Sequence, residues 1–434
     1  MQRDATAISQ RKVGARPGDQ PVVTGCPHLA GYNPVAPAEL SDPYTRFVEV
    51  RRDTPVYYLE NWDMYEVSRL DDVLTVLRDD DNYSTRRALP VEPPPPEVTD
   101  RMPEYPWAKS LLLLDDPEHR PARSVVQAPF TPRKVRERDA TIRAVANRLF
   151  DERMAAGRID FINEYSLPLS LAAIADIMGV PEEKWELLHD GVARGFELIS
   201  LSLTDHDEIV KAAEPLADLY EYLGELVEER REDPRDDYTT VMVQYRKEDG
   251  TLESTPEMIK HLYTLLGAGF ETSAQMMAHG IGSILAHPDQ WEDLKVDPEG
   301  LIDGAVEEML RYRTLVKRIF RVTNRDMEVG GVTIPEGALV SLLLASADRD
   351  EDAYEQPQDF DIRRRPEHLA FGKWKHFCVG APLARLEMKI TVETIIDRVP
   401  DIRPVPGQKF EWRPDLRLDA INRLELEWEP SRAD

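Results

Sequence analysis

Cysteine is almost absent from this chain: 434 residues hold two, Cys26 and Cys378. Two thiols cannot staple a chain of this length, so a disulfide framework is excluded and a reducing compartment is expected. Positive charge is also short. Lys and Arg number 54 against 81 Asp and Glu, a net charge of −27, which argues against nucleic acid or an anionic membrane as partner. Long hydrophobic runs are missing as well. The longest apolar stretches, Leu111–Leu114 and Ala338–Ala347, fall far below the ~20 residues of a spanning helix. Residues 1–40 contain no apolar run suited to a signal peptide. The expectation is a soluble, cytoplasmic protein. The 41% apolar and 31% charged content is that of an ordinary globular chain.

Neither an internal repeat nor a long linker interrupts the sequence. Residues 1–40 read as a loosely ordered segment and 41–434 as a single domain. Asp42–Arg52 reads as a helix ending before Thr54-Pro55, Val56–Leu59 and Met64–Val67 as a hairpin, and Leu70–Arg78 as a second helix. Leu89–Lys109 holds Pro93–Pro96, Pro103 and Pro106, a proline density that forbids a regular helix. An irregular segment of this length inside a compact domain is a candidate substrate lid. From Asp116 to Arg313 the pattern is mostly helical. Glu257–Ala286 stands out, with Thr255 placed to cap it, Pro256 at its first position and His287-Pro288 to stop it. About 30 residues make a helix of roughly 45 Å, and its apolar centre requires it to run through the middle of the molecule. Ile319–Ala345 is strand-like, and a last helix runs from Ala381 to about Arg398. The fold class is mainly α with a small β region.

Chemistry concentrates around Phe371-Gly372-Lys373-Trp374-Lys375-His376-Phe377-Cys378-Val379-Gly380. A lone cysteine is by default a buried free thiol. Here it stands in a tight glycine-flanked loop directly before a helix start, where loop N–H groups and the helix dipole stabilise a thiolate. Such a thiolate can be the axial ligand of a haem iron. Three further constellations lie upstream. Glu308 and Arg311 are spaced i,i+3, a pair that is usually solvated and weak. Ala268-Gly269-Phe270-Glu271-Thr272 puts an acid and an alcohol within the apolar centre of the long helix, where unpaired burial is expensive and Gly269 weakens the helix at a point suited to a kink. His119 and Arg123, four apart, face one side of a helix whose Pro121 is tolerable only in the first turn.

Together these motifs resemble the cytochrome P-450 family, whose haem loop reads Phe-Gly-x-Gly-x-His/Arg-x-Cys-x-Gly. Phe371, Gly372, His376, Cys378 and Gly380 match it; Trp374 stands where the family has glycine. The matching motifs run from Asp116 to about Glu387, and with the Asp42–Leu59 opening and the strand region the resemblance covers nearly the whole chain; it implies a haem b cofactor with Cys378 as the metal ligand. It implies that His119, Arg123, Arg321 and His376 reach the haem propionates and that Phe371 is a cofactor-binding residue of the loop. Glu308 and Arg311 would brace the fold behind the haem, with a third partner left open near Asp359. Thr272 and Glu271 would be the catalytic proton relay. The implied reaction is insertion of one atom of O₂ into a C–H bond, or epoxidation, of a small hydrophobic molecule. Electrons would come from a ferredoxin and its reductase, because no flavin or iron–sulfur motif is visible. Lys373, Lys375 and Arg385 form a candidate docking patch for that partner. A peroxide-driven peroxygenase and a non-catalytic haem protein are the alternatives. Candidate pocket walls are the Leu89–Lys109 lid, Phe196–Thr204, Leu265–Ala268 and Leu315–Ile319, and Lys317 or Arg318 would anchor a carboxylate if either faces the pocket.

Overall fold

The computed structural model describes residues 26–29, 31–89, 93–199, 205–247 and 250–430. Most of the segment expected to be loosely ordered, and residues 200–204 of the expected pocket wall, lie outside the described residues. Residues 31–40 do pack: Tyr32, Val35 and Leu40 are buried. Helix α1 (Pro43–Asp53) starts at Asp42, whose carboxylate accepts the N–H groups of Tyr44 and Thr45 at 3.2 and 3.3 Å. Then come β1 (Val56–Leu59), β2 (Met64–Val67), α2 (Leu70–Arg78) and β3 (Tyr83–Ser84). Two later strands, β4 (Arg318–Thr323) and β5 (Leu339–Leu343), complete a sheet of order β1-β2-β5-β4-β3. β2 and β5 run parallel and the other pairs antiparallel.

In β4 the two-residue period sorts the side chains between two surfaces. Phe320 and Val322 join a core with Tyr32, Val35 and Tyr57. Arg318 follows them, donating from Nε to Glu66 Oε1 at 2.6 Å and from Nη2 to the Tyr32 hydroxyl at 3.2 Å. Ile319 and Arg321 take the opposite face.

The rest of the chain is mainly helical: α3 (His119–Val126), α4 (Asp139–Asp151), α5 (Leu167–Met178), α6 (Trp185–Ile199), α7 (His206–Glu232), α8 (Thr255–Leu285), α9 (Pro298–Tyr312) and α10 (Ala381–Arg398). Helix α8 is the long central helix the sequence announces. Its cap is Ser254 rather than Thr255, in a reciprocal box with Glu257. The helix is continuous through Gly269. The absent Cβ there serves packing instead, since one would come within 3.3 Å of the Ile174 side chain on α5. Helix α10 begins at Ala381 with Gly380 as its N-cap, directly after the cysteine loop.

Glu308 and Arg311 on α9 are fully buried and joined by two bonds, 2.8 and 2.7 Å long. Arg311 also donates to the carbonyls of Asp348, Pro357 and Asp359. The third partner is Arg364, whose Nε lies 3.3 Å from Glu308 Oε1. Asp359 contributes only its carbonyl. This network ties α9 to the irregular stretch that leads into the cysteine loop.

Candidate functional site

Glycine at 372 (φ +66°) turns the chain back on itself, so that the Cys378 N–H reaches the Phe371 carbonyl at 2.9 Å. Trp374 keeps the left-handed backbone that the glycine pattern demands (φ +56°), a conformation that is strained for a bulky residue. Its ring is held between Arg78, 5.0 Å from the ring centre, and Lys373 at 5.7 Å. The Cys378 side chain is open to solvent, yet the protein mass around it pushes the thiol up, opposed by the N–H groups of Gly380 and Ala381 aimed at its sulfur and by Arg123 and Arg385. Helix α3 stands beside the loop, with Pro121 in its first turn. Arg123 donates to the Phe377 carbonyl at 2.7 Å, and the His119 and His376 rings sit 4.4 Å apart. Arg321 approaches from β4.

These bases crowd one another. Burial, then Arg321 and His119, drive His376 down to about 3, and burial with Arg123 lowers His119. His119 Nε2 and Arg321 Nε are buried without a hydrogen-bond partner. Four cationic or donor side chains converging beside a cysteine sulfur, two with orphaned buried nitrogens, have the chemistry of a receptor for an anionic macrocycle bearing a soft metal. The residues present fit a haem with two propionates.

Across the site, α8 is buried from His261 to Ile281 except at Ala268, Gly269 and Thr272, which form an accessible strip at mid-helix. The Thr272 hydroxyl donates to the Ala268 carbonyl at 2.6 Å, so in this state it is bonded within its own helix. Glu271 is buried and ion-paired with Arg413. That partner lies 142 residues away and sequence reasoning missed it.

Two sets of charges meet partners from elsewhere in the chain. Lys373, Lys375 and Arg385, the candidate docking patch, each have an acidic neighbour. Arg385 holds Glu307 through two bonds of 2.6 and 2.8 Å and stacks over Phe371. Lys375 sits between Asp80 and Asp116 at 3.1 and 3.2 Å. Lys373 is 3.5 Å from Glu367 and is the most exposed of the three. Arg318, a proposed carboxylate anchor, is directed away from the site to Glu66. Residues 90–92 of the candidate lid lie outside the described residues; in the remainder Val98, Met102, Tyr105 and Trp107 are buried, with the Tyr105 and Trp107 rings stacked 4.3 Å apart. Arg101 grips Glu214, Asp218 and Glu221 along one face of α7.

The loop, the two histidines, the two arginines and the long helix together define a haem-thiolate protein. The comparisons make this specific. A family model described as Cytochrome P450 matches residues 300–400. The putative cytochrome P450 YjiB of Bacillus subtilis is 33% identical over 369 residues, covering 84% of this chain and 89% of that one. The cytochrome P450 monooxygenase PikC of Streptomyces venezuelae is 34% identical over 74% of this chain and 77% of its own. The structure of cytochrome P450 CYP109Q5 from Chondromyces apiculatus superposes with a TM-score of 0.81 at 32% identity, covering 92% of this chain and 98% of that one. The chain belongs to the cytochrome P-450 family. It is an oxidoreductase of the monooxygenase type whose haem iron is held by a cysteine thiolate. No helix among the described residues is long and apolar enough to cross a membrane.

Proposed function

We propose that this enzyme inserts one atom of O₂ into a C–H bond, or across a double bond, of a small hydrophobic molecule in the cytoplasm, drawing electrons from a ferredoxin and its reductase. The observation that carries the reading is the convergence of the Cys378 sulfur, held by the N–H groups of Gly380 and Ala381, with the orphaned nitrogens of His119 and Arg321. Cys378 supplies the thiolate. His119, Arg123, Arg321 and His376 hold the two propionates. The haem supplies the oxidising chemistry, which its thiolate ligand promotes.

The chain's own residues position the substrate and meter protons. Ala268, Gly269 and Thr272 form the accessible strip against which the reacting face is laid. The Thr272 hydroxyl, released from Ala268, orders a water there. Glu271 passes a proton toward it by exchanging its bond to Arg413 for one to solvent. Lys373, outward on the Trp374 loop, is the cation best placed to meet an acidic ferredoxin.

The test measures product from NADH with a ferredoxin and its reductase, and from peroxide alone. Turnover that requires the ferredoxin pair is expected, and equal turnover from peroxide would refute the proposal. Cys378→Ser should abolish the thiolate signature in the spectrum of the reduced carbonyl complex. Lys373→Glu should slow reduction and flatten its salt dependence. If neither changes, the docking assignment is wrong.

A further inference from the structure

We propose that Lys317 and Arg417 form an anion-binding corner of the substrate pocket, which takes the carboxylate of a small hydrophobic acid. The inference deepens the proposed function and rests on it. Lys317 is 1% exposed, and the carboxylate oxygen nearest its ammonium is Asp419 Oδ1, 4.0 Å away. That distance exceeds a hydrogen bond. The other Asp419 oxygen is taken by Arg313 Nε at 2.8 Å. Arg417 repeats the situation: its Nη2 is buried with no hydrogen-bond partner, 3.6 Å from Asp415 Oδ2. Asp415 is engaged by the backbone, its Oδ1 accepting the N–H groups of Arg417 and Leu418 at 2.6 and 3.0 Å.

Three cations (Arg313, Lys317 and Arg417) thus share two carboxylates (Asp415 and Asp419). Neighbouring charges do not redress the balance. Arg318 is matched by Glu66, and Arg413 by Glu271. His279, beside Asp419, is pushed down to about 4 by burial and adds no charge at neutral pH. An uncompensated buried cation is expensive, and a ligand carboxylate removes that expense.

The backbone sets this corner beside the site. The two-residue period puts Lys317 on the same face as Ile319 and Arg321, opposite Arg318, Phe320 and Val322. Lys317 therefore stands about 13 Å along the strand from the arginine that faces His376. Its N–H donates to the Arg417 carbonyl at 2.7 Å, and Val316 pairs with Leu418, which fixes the 415–418 turn against the strand. The segment after that turn runs along α8, where Gln275 exchanges two hydrogen bonds with the Ile421 backbone. Gln275 is one turn from Thr272. The two cations lie between the strand that reaches the haem edge and the helix that carries the accessible strip.

The test uses the haem-loaded enzyme and a panel of matched carboxylic acids and primary amides on straight-chain, aryl and cyclic skeletons. Binding is read by the change in haem spin state. For skeletons that bind, the acid should bind about tenfold more tightly than its amide, the scale of a charged hydrogen bond. Lys317→Met and Arg417→Met should each lose that margin while the affinity for the amide stays within about twofold. Lys317→Arg should keep the preference, and Lys317→Gln serves where the methionine variant does not fold. Equal binding of acid and amide, a panel in which no acid binds, or equal weakening of both by Lys317→Met would overturn the inference. The reduced carbonyl spectrum of the wild type is recorded first. A missing thiolate signature there would refute the proposed function itself, which is a different failure.

Discussion

Lys317→Met removes an ammonium that is 1% exposed and 4.0 Å from its nearest carboxylate oxygen, and leaves an unbranched side chain of similar length. Burial, the largest influence, and the nearby Arg318 and Arg313 lower the Lys317 ammonium from its ordinary 10.5 to about 8, against the pull of Asp419 and Asp415. Between those two values the unfolded chain binds the proton and the folded chain does not, so wild-type stability rises with pH across that window. Below pH 8 the folded protein carries the whole penalty, about 3 kcal/mol at 1.36 kcal/mol per unit. The substitution should therefore stabilise the ligand-free enzyme at pH 7. At about 2.1 cal/mol/K of unfolding entropy per residue, a chain of this size gains about 3 °C in Tm. The gain should shrink as pH rises from 8 and vanish above 10.5. Asp419 keeps its 2.8 Å bond to Arg313, so losing the lysine does not orphan it. Thermal unfolding of both proteins at pH 7 and at pH 10 checks this. A Tm that falls at pH 7, or a gain of equal size at both pH values, would mean that Lys317 serves Asp419 structurally, and the reasoning would fail.

Arg311→Met should cost about 3–5 kcal/mol, because it leaves Glu308 charged and fully buried without its two-bond partner. Arg364→Met removes a 3.3 Å contact to the same carboxylate and three part-exposed bonds to the carbonyls of Glu355, Gln356 and Asp359, and should cost about 1–2 kcal/mol; urea unfolding ranks the two, and equal costs would contradict the assignment. Thr272→Val keeps the shape of the accessible strip but deletes the hydroxyl. Substrate affinity should stay within about twofold while product formed per NADH falls by about tenfold or more, read by comparing product with cofactor consumption. Trp374→Gly relieves a left-handed backbone worth on the order of 1 kcal/mol and loses the Arg78 contact, worth about as much. Stability should change by less than about 1 kcal/mol, and a larger loss would show that the ring's packing dominates.

Local spacing made much of this molecule legible. Thr54-Pro55 and the alternation after it set the limits of β1 and β2 where the structure has them. The apolar period likewise gave Leu70–Arg78 and Ala381–Arg398. Helix α8 was visible from its length, although its cap was misassigned by one residue: Ser254-x-x-Glu257 is a capping box that Pro256 obscured. The cysteine loop was readable because everything that shapes it lies within a few positions, from Gly372 to the N–H of Ala381. Glu308 and Arg311 could be paired for the same reason.

What the sequence left open concerns charges whose partners come from far along the chain. Arg364 reaches Glu308 across 56 residues and Arg413 reaches Glu271 across 142, and each lies on an irregular stretch with no periodicity to aim it. Composition did contain a warning about the docking patch. With 81 carboxylates to 54 cations, a lysine or arginine at the surface finds an acid unless something prevents it, so acidic neighbours at all three positions are the default. Asp80, Asp116 and Glu307 duly occupy Lys375 and Arg385. The same excess of acid makes the corner at Lys317 and Arg417 more telling. A buried ammonium and a buried guanidinium nitrogen that lack a hydrogen-bonded carboxylate, in a chain so rich in carboxylates, call for an anion that the chain itself does not supply.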